Sequence, residues 1–97
     1  MSETSWTYAI DYDGTWTSDP IAFRAFATLL RRRGHKVVIV TARVSGQGEV
    51  REACMEYVDD IVWSTGMPKR EAAERAGFTV KVWIDDMPEM IVRGPRA

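Results

Sequence analysis

The chain contains a single cysteine, Cys54, and lacks any long uninterrupted run of apolar residues. One thiol cannot form an internal disulfide, so the hydrophobic core must hold the fold together. No apolar stretch approaches the roughly 20 residues that a membrane-spanning helix needs. The first residues do not resemble the apolar segment of a secretory signal. From these absences we expect a cytoplasmic protein with no membrane partner.

The sequence also lacks an excess of charge of either sign. Thirteen basic side chains face fourteen acidic ones, which leaves a formal net charge of −1. Such a chain has no overall attraction to nucleic acid or to anionic membranes. Its 97 residues, of which 45% are hydrophobic and 28% charged, are typical of one small globular domain. We therefore predict a single domain that spans residues 1–97.

Short apolar runs alternate along the chain with helix-like runs, and this alternation is typical of α/β proteins with a parallel sheet. Strands are predicted at residues 6–11, 37–40, 60–63 and 80–84. Helices are predicted at residues 20–33, with Asp19 as the N-terminal cap, and at residues 49–58 and 69–76. The run 37–40 is almost wholly apolar, as in strands that are covered on both faces. The sequence thus predicts about four parallel strands with helices on both faces.

The first apolar run ends in Asp11-Tyr12-Asp13-Gly14-Thr15. Side chains at i and i+2 of an extended strand point the same way, so the carboxylates of Asp11 and Asp13 can converge. Two carboxylates held together require a cation or a shared proton. A turn at Gly14 leaves backbone N–H groups free to face an anion. The pattern indicates phosphoryl-transfer chemistry, although Asp-Gly is also an ordinary turn sequence.

Further polar groups follow other predicted strands in the same way. Thr41 ends the second strand, and Asp85 and Asp86 follow the fourth. The carboxyl ends of parallel strands lie at one edge of a sheet, where α/β proteins bind ligands. We therefore expect Asp11, Thr41 and Asp85 to converge there.

Four segments, YAIDYDGT, VVIVTAR, PKREAAERAGF and VWIDDMPE, resemble in order the four motifs of the haloacid dehalogenase (HAD) superfamily. The resemblance covers nearly the whole chain and implies that superfamily's three-layer, Rossmann-like core. It also implies a phosphatase that forms an aspartyl phosphate. By resemblance, Asp11 is the nucleophile and Asp13 the general acid and base. Thr41 then binds the transferring phosphoryl group, and Lys69 neutralises the nucleophile and the phosphate.

The same resemblance implies Mg²⁺ as cofactor. The metal would be held by Asp11, Asp85 and Asp86 with the backbone carbonyl of Asp13, a ligand set that suits a hard cation. The implied substrate-binding positions are Tyr12, Gly14, Ala42 and Arg43. For Arg43, contact with a neighbouring carboxylate is an equal alternative. Thr41, Lys69 and the Asp85-Asp86 pair also have purely structural interpretations: a strand-end hydroxyl, a solvated lysine and a turn.

Within the superfamily, an aspartate at position 13 points to phosphomonoester hydrolysis. Few residues separate Thr15 from the first helix or the third strand from Lys69, so no cap domain is expected. The leading hypothesis is hydrolysis of a small phosphorylated metabolite or nucleotide. One alternative is a nucleic-acid 3′-phosphatase, steered by Arg43 and by arginines 31–33; the net charge of −1 weakens it. Another is a low-turnover binding or regulatory protein with the same fold.

The fourth predicted strand is expected to lie at an edge of the sheet, where unpaired backbone groups invite association. Either the tail, residues 87–95, folds back over this strand, or two copies pair through it as a symmetric dimer. Pro88, Pro95 and Lys81 disfavour strand pairing. These features favour a monomer over a homodimer.

Overall fold

A computed structural model describes residues 4–94, and in it strands and helices alternate. The strands are β1 (Thr7–Ile10), β2 (Lys36–Thr41), β3 (Asp60–Trp63) and β4 (Val80–Ile84). The helices are α1 (Pro20–Arg32), α2 (Gln47–Cys54), α3 (Lys69–Arg75) and α4 (Glu89–Val92), with a short 3-10 helix at Trp16–Ser18. All strands are parallel, in the order β3-β2-β1-β4. The predicted α/β class with a four-stranded parallel sheet is confirmed.

The start of α1 illustrates how local sequence sets these elements. The Asp19 carboxylate accepts a hydrogen bond of 3.1 Å from the N–H of Ala22, which satisfies one of the unpaired donors at the helix start. Pro20 is the first helical residue, where its missing N–H costs nothing. The predicted cap is confirmed.

The core has two parts because alternate residues of a strand point to opposite faces of the sheet. On one face, buried residues of β1, β2 and β3 pack with residues of α1 and α2: Ile10, Ala27, Leu30, Val37, Ile39, Val50, Cys54 and Ile61. On the other face, strand residues pack with α3: Ala9, Val38, Val40, Val62, Ala72 and Ala73. Helices therefore cover both faces of the sheet, as the apolar run of β2 predicted.

Two helices differ from the sequence-based expectation. The second helix was predicted at residues 49–58, but α2 begins at Gln47 and ends at Cys54. Beyond it, the N–H groups of Tyr57 and Val58 both donate to the carbonyl of Cys54 in a turn, which ends the helix while Val58 stays buried. The predicted helix thus included a turn that follows α2. The four-residue α4 was not predicted.

β4 lies at the edge of the sheet, as predicted, and β1 is its one strand partner within residues 4–94. The tail forms α4, which packs mainly against α3. Pro95, which the expected cover included, lies outside the described residues. The preference for a monomer stays a prediction. Among residues 4–94, no helix combines the length and apolarity needed to cross a membrane.

Candidate active site

The carboxyl ends of three neighbouring strands bring the predicted polar groups together. Asp11 follows β1, Thr41 ends β2 and Asp85 follows β4, and β1 lies between the other two strands. A cleft of about 280 Å³ opens at this edge. Its lining contains every predicted site residue except Tyr12 and Gly14, with two methionines besides: Asp11, Asp13, Thr41, Ala42, Arg43, Lys69, Asp85, Asp86, Met87 and Met90.

The centre of the cleft is a buried ion-pair triad of Asp11, Lys69 and Asp85. The ammonium of Lys69 lies 2.8 Å from Asp11 Oδ1 and 2.6 Å from Asp85 Oδ2. Lys69 is 4% exposed and Asp11 is 7% exposed. A cation at the first residue of a helix opposes the helix dipole. The two carboxylates therefore account for the position of Lys69, which the sequence left open as an ordinary solvated lysine.

Burial has opposite effects on the two partners at this centre. It raises the pKa of Asp11 to about 6, because desolvation outweighs the stabilisation of the carboxylate by Lys69. Burial would lower the pKa of Lys69, but the hydrogen bonds to Asp11 and Asp85 prevail and raise it above its usual value. Lys69 therefore stays protonated, and Asp11 is the member of this pair whose charge changes near neutral pH.

A pH dependence of stability follows when divalent metal is absent. The folded protein holds the Asp11 proton more tightly than the unfolded chain, where the carboxyl has its ordinary pKa of 3.8. The stability from this proton is therefore present at low pH and is lost as pH rises through about 6. We expect the substitution Asp11→Asn to gain about 1.5 kcal/mol relative to wild type between pH 5 and pH 7.5. Urea unfolding of both proteins in EDTA measures this difference, and a difference that is constant with pH contradicts it.

Thr15 links the first acidic segment to the last. Its hydroxyl lies 3.3 Å from Asp11 Oδ2 and 3.4 Å from Asp86 Oδ1, and it accepts a hydrogen bond of 3.2 Å from the N–H of Asp86. Gly14 has a φ of +83°, and a Cβ there would overlap the carboxylate of Asp86. Sequence reasoning assigned no role to Thr15; the signal was a hydroxyl four residues after Asp11.

Asp11, Asp85 and Asp86 form a group that could hold a metal ion. One carboxylate oxygen from each lies within 4.8 Å of the others. The three carboxylates face a single ammonium, that of Lys69, so negative charge exceeds positive charge by two units at pH values where all three are ionised. Oxygen ligands and this charge excess both suit a divalent hard cation. Asp13 does not belong to this group of three carboxylates.

Asp13 is held by Arg43 at the rim of the cleft. Arg43 Nη2 lies 2.9 Å from Asp13 Oδ1, and Nε lies 3.1 Å from Asp13 Oδ2. The remaining terminal nitrogen, Nη1, donates to Glu49 at 3.0 Å. The guanidinium carbon lies 5.3 Å from the ring centre of Tyr12. Of the two alternatives for Arg43, contact with neighbouring carboxylates is the one present here, and its partner Glu49 was not predicted.

Tyr12 and Gly14 do not line the cleft. The Tyr12 ring is 5% exposed and belongs to the core on the α1 and α2 face. The N–H of Gly14 donates to Thr17 Oγ1 at 3.0 Å, and the N–H of Thr15 donates to the Tyr12 carbonyl at 3.3 Å. The N–H groups of Gly14 and Thr15 are therefore not free to face an anion. Within residues 4–94, the N–H groups of Tyr12 and Asp13 are the ones in this turn without an acceptor.

The other end of the sheet carries a second, larger cavity of about 630 Å³ between the ends of α1 and α2. Arg31 and Arg32 line it, and Arg31 pairs with Asp59 at 3.4 Å. His35 precedes β2 and Asp59 precedes β3, so this cavity lies at the amino ends of the strands. These arginines are therefore on the opposite edge of the sheet from Arg43.

Comparison of the chain with protein-family models, with curated proteins and with solved structures finds no match in any of the three.

Proposed function

We propose that the protein is a Mg²⁺-dependent phosphomonoesterase of the HAD type, which forms an aspartyl phosphate on Asp11. The observation that carries this proposal is the buried contact of Asp11 with Lys69, beside a three-carboxylate group suited to a metal. A carboxylate nucleophile, a fixed cation and a divalent site together provide what transfer of a phosphoryl dianion requires. The expected substrate is a small phosphorylated metabolite or nucleotide.

In this proposal Asp11 attacks phosphorus, the bond from phosphorus to the substrate oxygen breaks, and an acyl phosphate forms. Water then hydrolyses that intermediate and releases inorganic phosphate. Lys69 fixes one oxygen of Asp11 and places positive charge next to the phosphoryl group. The hydroxyl of Thr41 and the N–H groups of Tyr12 and Asp13 are the donors available to the phosphoryl oxygens. Asp11, Asp85 and Asp86, with the carbonyl of Asp13, would hold Mg²⁺, which would supply further positive charge.

The proposal is tested by hydrolysis of 4-nitrophenyl phosphate with and without Mg²⁺. We expect phosphate release that depends on Mg²⁺ and stops in EDTA. If the protein binds a phosphate ester but does not hydrolyse it, the alternative of a low-turnover binding or regulatory protein is favoured. A panel of phosphorylated metabolites and 3′-phosphorylated oligonucleotides then separates the leading hypothesis from the nucleic-acid alternative. The placement of Arg31 and Arg32 on the opposite edge disfavours that alternative.

Metal binding has its own readout. We expect millimolar Mg²⁺ to raise the Tm of the wild-type protein, because the ion binds the folded carboxylate group and not the unfolded chain. The rise should be smaller in Asp86→Asn, which removes one ligand charge from an exposed side chain. Thermal unfolding with and without Mg²⁺ measures both effects. Glu52→Gln is the control: Glu52 lies exposed on α2, so Mg²⁺ should raise the Tm of this variant as much as that of wild type. An unchanged rise in Asp86→Asn would remove Asp86 from the metal site.

The role of Asp13 is tested by varying the leaving group. As general acid, Asp13 protonates the departing oxygen, and nitrophenolate needs little such help. We therefore expect Asp13→Asn to slow hydrolysis of an alkyl phosphate by about 100-fold or more and to slow 4-nitrophenyl phosphate much less. Steady-state kinetics with both esters measure the two effects. Equal losses would count against Asp13 as the acid.

The proposal includes a cytoplasmic location and a monomeric enzyme. The buried free thiol of Cys54 agrees with a reducing compartment.

A further inference from the structure

The contact between Arg43 and Asp13 occupies both oxygens of the Asp13 carboxyl group. They accept hydrogen bonds from the guanidinium, at 2.9 Å and 3.1 Å. In this two-point contact neither oxygen is placed to reach the leaving group of a substrate. To donate a proton to a leaving group, Asp13 must first come away from Arg43. The arrangement is thus a latch that has to open during the proposed reaction.

Opening the latch exposes one edge of Arg43 and leaves the other edge in place. Nη1 stays bound to Glu49 at 3.0 Å and to the carbonyl of Gly46 at 3.3 Å, and the guanidinium lies over the ring of Tyr12. The freed edge, made of Nε and Nη2, presents two parallel N–H donors. With Asp13 in place, the Arg43 side chain is 24% exposed. This geometry matches the two oxygens of a carboxylate or phosphate, which Asp13 imitates here.

The freed edge lies on the leaving-group side of the cleft. The phosphoryl group has to reach Asp11, where Lys69 and the metal-binding carboxylates supply the charge that it needs. Asp13 has to reach the oxygen that departs from phosphorus. Because Arg43 lies within one hydrogen bond of Asp13, an anion on its freed edge belongs to the alcohol part of the ester.

We propose that the Nε and Nη2 edge of Arg43 is a subsite for a second anionic group of the substrate, so that preferred substrates are phosphomonoesters with a carboxylate or a second phosphate on the alcohol part. This inference rests on the proposed phosphatase activity. The second anion replaces Asp13 on Arg43 and thereby releases the acid that the reaction needs. The substrate thus assembles its own catalytic site, and the contact with Arg43 adds specificity for the alcohol part of the ester.

The test compares three aryl phosphates of one shape. They are 4-(carboxymethyl)phenyl phosphate, its neutral amide, and the analogue with a phosphonate in place of the carboxylate. The methylene group insulates the ester oxygen, so the three leaving groups differ little in reactivity. We expect kcat/KM for the acid or the phosphonate to exceed that for the amide by about tenfold, the effect of one charge-assisted hydrogen-bonded pair. Whichever anion is favoured identifies the chemistry that the subsite selects.

Arg43→Gln should bring the ratio of acid to amide close to one. Arg75→Gln, which removes an exposed cation on α3 that pairs with Glu71, should leave the ratio as in wild type. The same compounds are also compared as ligands by thermal shift of Asp11→Asn, so the preference is measured even without cleavage. Equal hydrolysis of all three by wild type overturns the subsite and leaves the phosphatase proposal intact. Discrimination in binding without any hydrolysis supports the subsite and counts against the phosphatase. A ratio that survives Arg43→Gln overturns the assignment to Arg43.

Discussion

Asp11→Asn is expected to abolish Mg²⁺-dependent phosphate release, with kcat reduced by a factor of about 10⁴ or more. The neutral amide cannot act as the nucleophile, and it contributes no charge to the metal-binding group. The fold should survive, because asparagine has nearly the same shape and Lys69 keeps its contact of 2.6 Å with Asp85. Activity and structure are thus separated in this variant.

The measurement is steady-state hydrolysis of 4-nitrophenyl phosphate, with circular dichroism to show that the variant is folded. Glu52→Gln makes the same chemical change at an exposed carboxylate of α2 and should keep wild-type activity. A folded Asp11→Asn protein with turnover within tenfold of wild type would assign the nucleophile elsewhere. Trapping of a phosphorylated aspartate in wild type, and its loss in the variant, gives a second readout that does not depend on rates.

The strands were the most predictable part of the fold. β3 and β4 have the bounds that the sequence predicts, because short apolar runs flanked by polar and turn residues leave little freedom for their ends. The helices were less predictable. The turn after Cys54 buries Val58 much as a helix would, and α4 is too short to produce a periodic pattern. The spacing of apolar residues alone does not distinguish such a turn from a helix, and it does not reveal a helix of four residues.

The candidate site also has contacts that the sequence predicts and contacts that it does not. Convergence of Asp11, Thr41 and Asp85 follows from parallel strands with polar residues at their carboxyl ends, so the order of apolar runs and polar residues is enough to predict it. The contact of Lys69 with Asp11 spans 58 positions of the chain, and only the motif resemblance indicated it. The contact of Arg43 with Glu49 depends on the loop between β2 and α2, where Gly46 has a φ of +67°. No pattern in the sequence determines such a loop conformation.

Lys69→Met is expected to destabilise the metal-free protein by about 3 to 5 kcal/mol at pH 7.5, a large share of the stability of a small domain. Lys69 is the cation that contacts both Asp11 and Asp85, so its removal leaves two buried carboxylates without their partner. The cost should shrink at pH 5, because protonation of Asp11 relieves part of the uncompensated charge. Burial already raises the pKa of Asp11 to about 6 in wild type, and loss of the lysine raises it further.

Mg²⁺ should reverse part of this loss. In the variant, a divalent ion bound by Asp11, Asp85 and Asp86 would take over the charge compensation that Lys69 supplies, so the rise in Tm with millimolar Mg²⁺ should be larger than in wild type. Urea unfolding in EDTA and in Mg²⁺, with Lys36→Met as control at an exposed lysine of β2, measures both effects. Hydrolysis should stay low in Lys69→Met even with saturating Mg²⁺, since the ion restores charge to the carboxylates but not the ammonium beside the phosphoryl group. A variant as stable as wild type in EDTA would show that the triad contributes nothing to folding. Stability regained with Mg²⁺ together with full activity would remove Lys69 from the proposed chemistry and leave it a purely structural counter-ion.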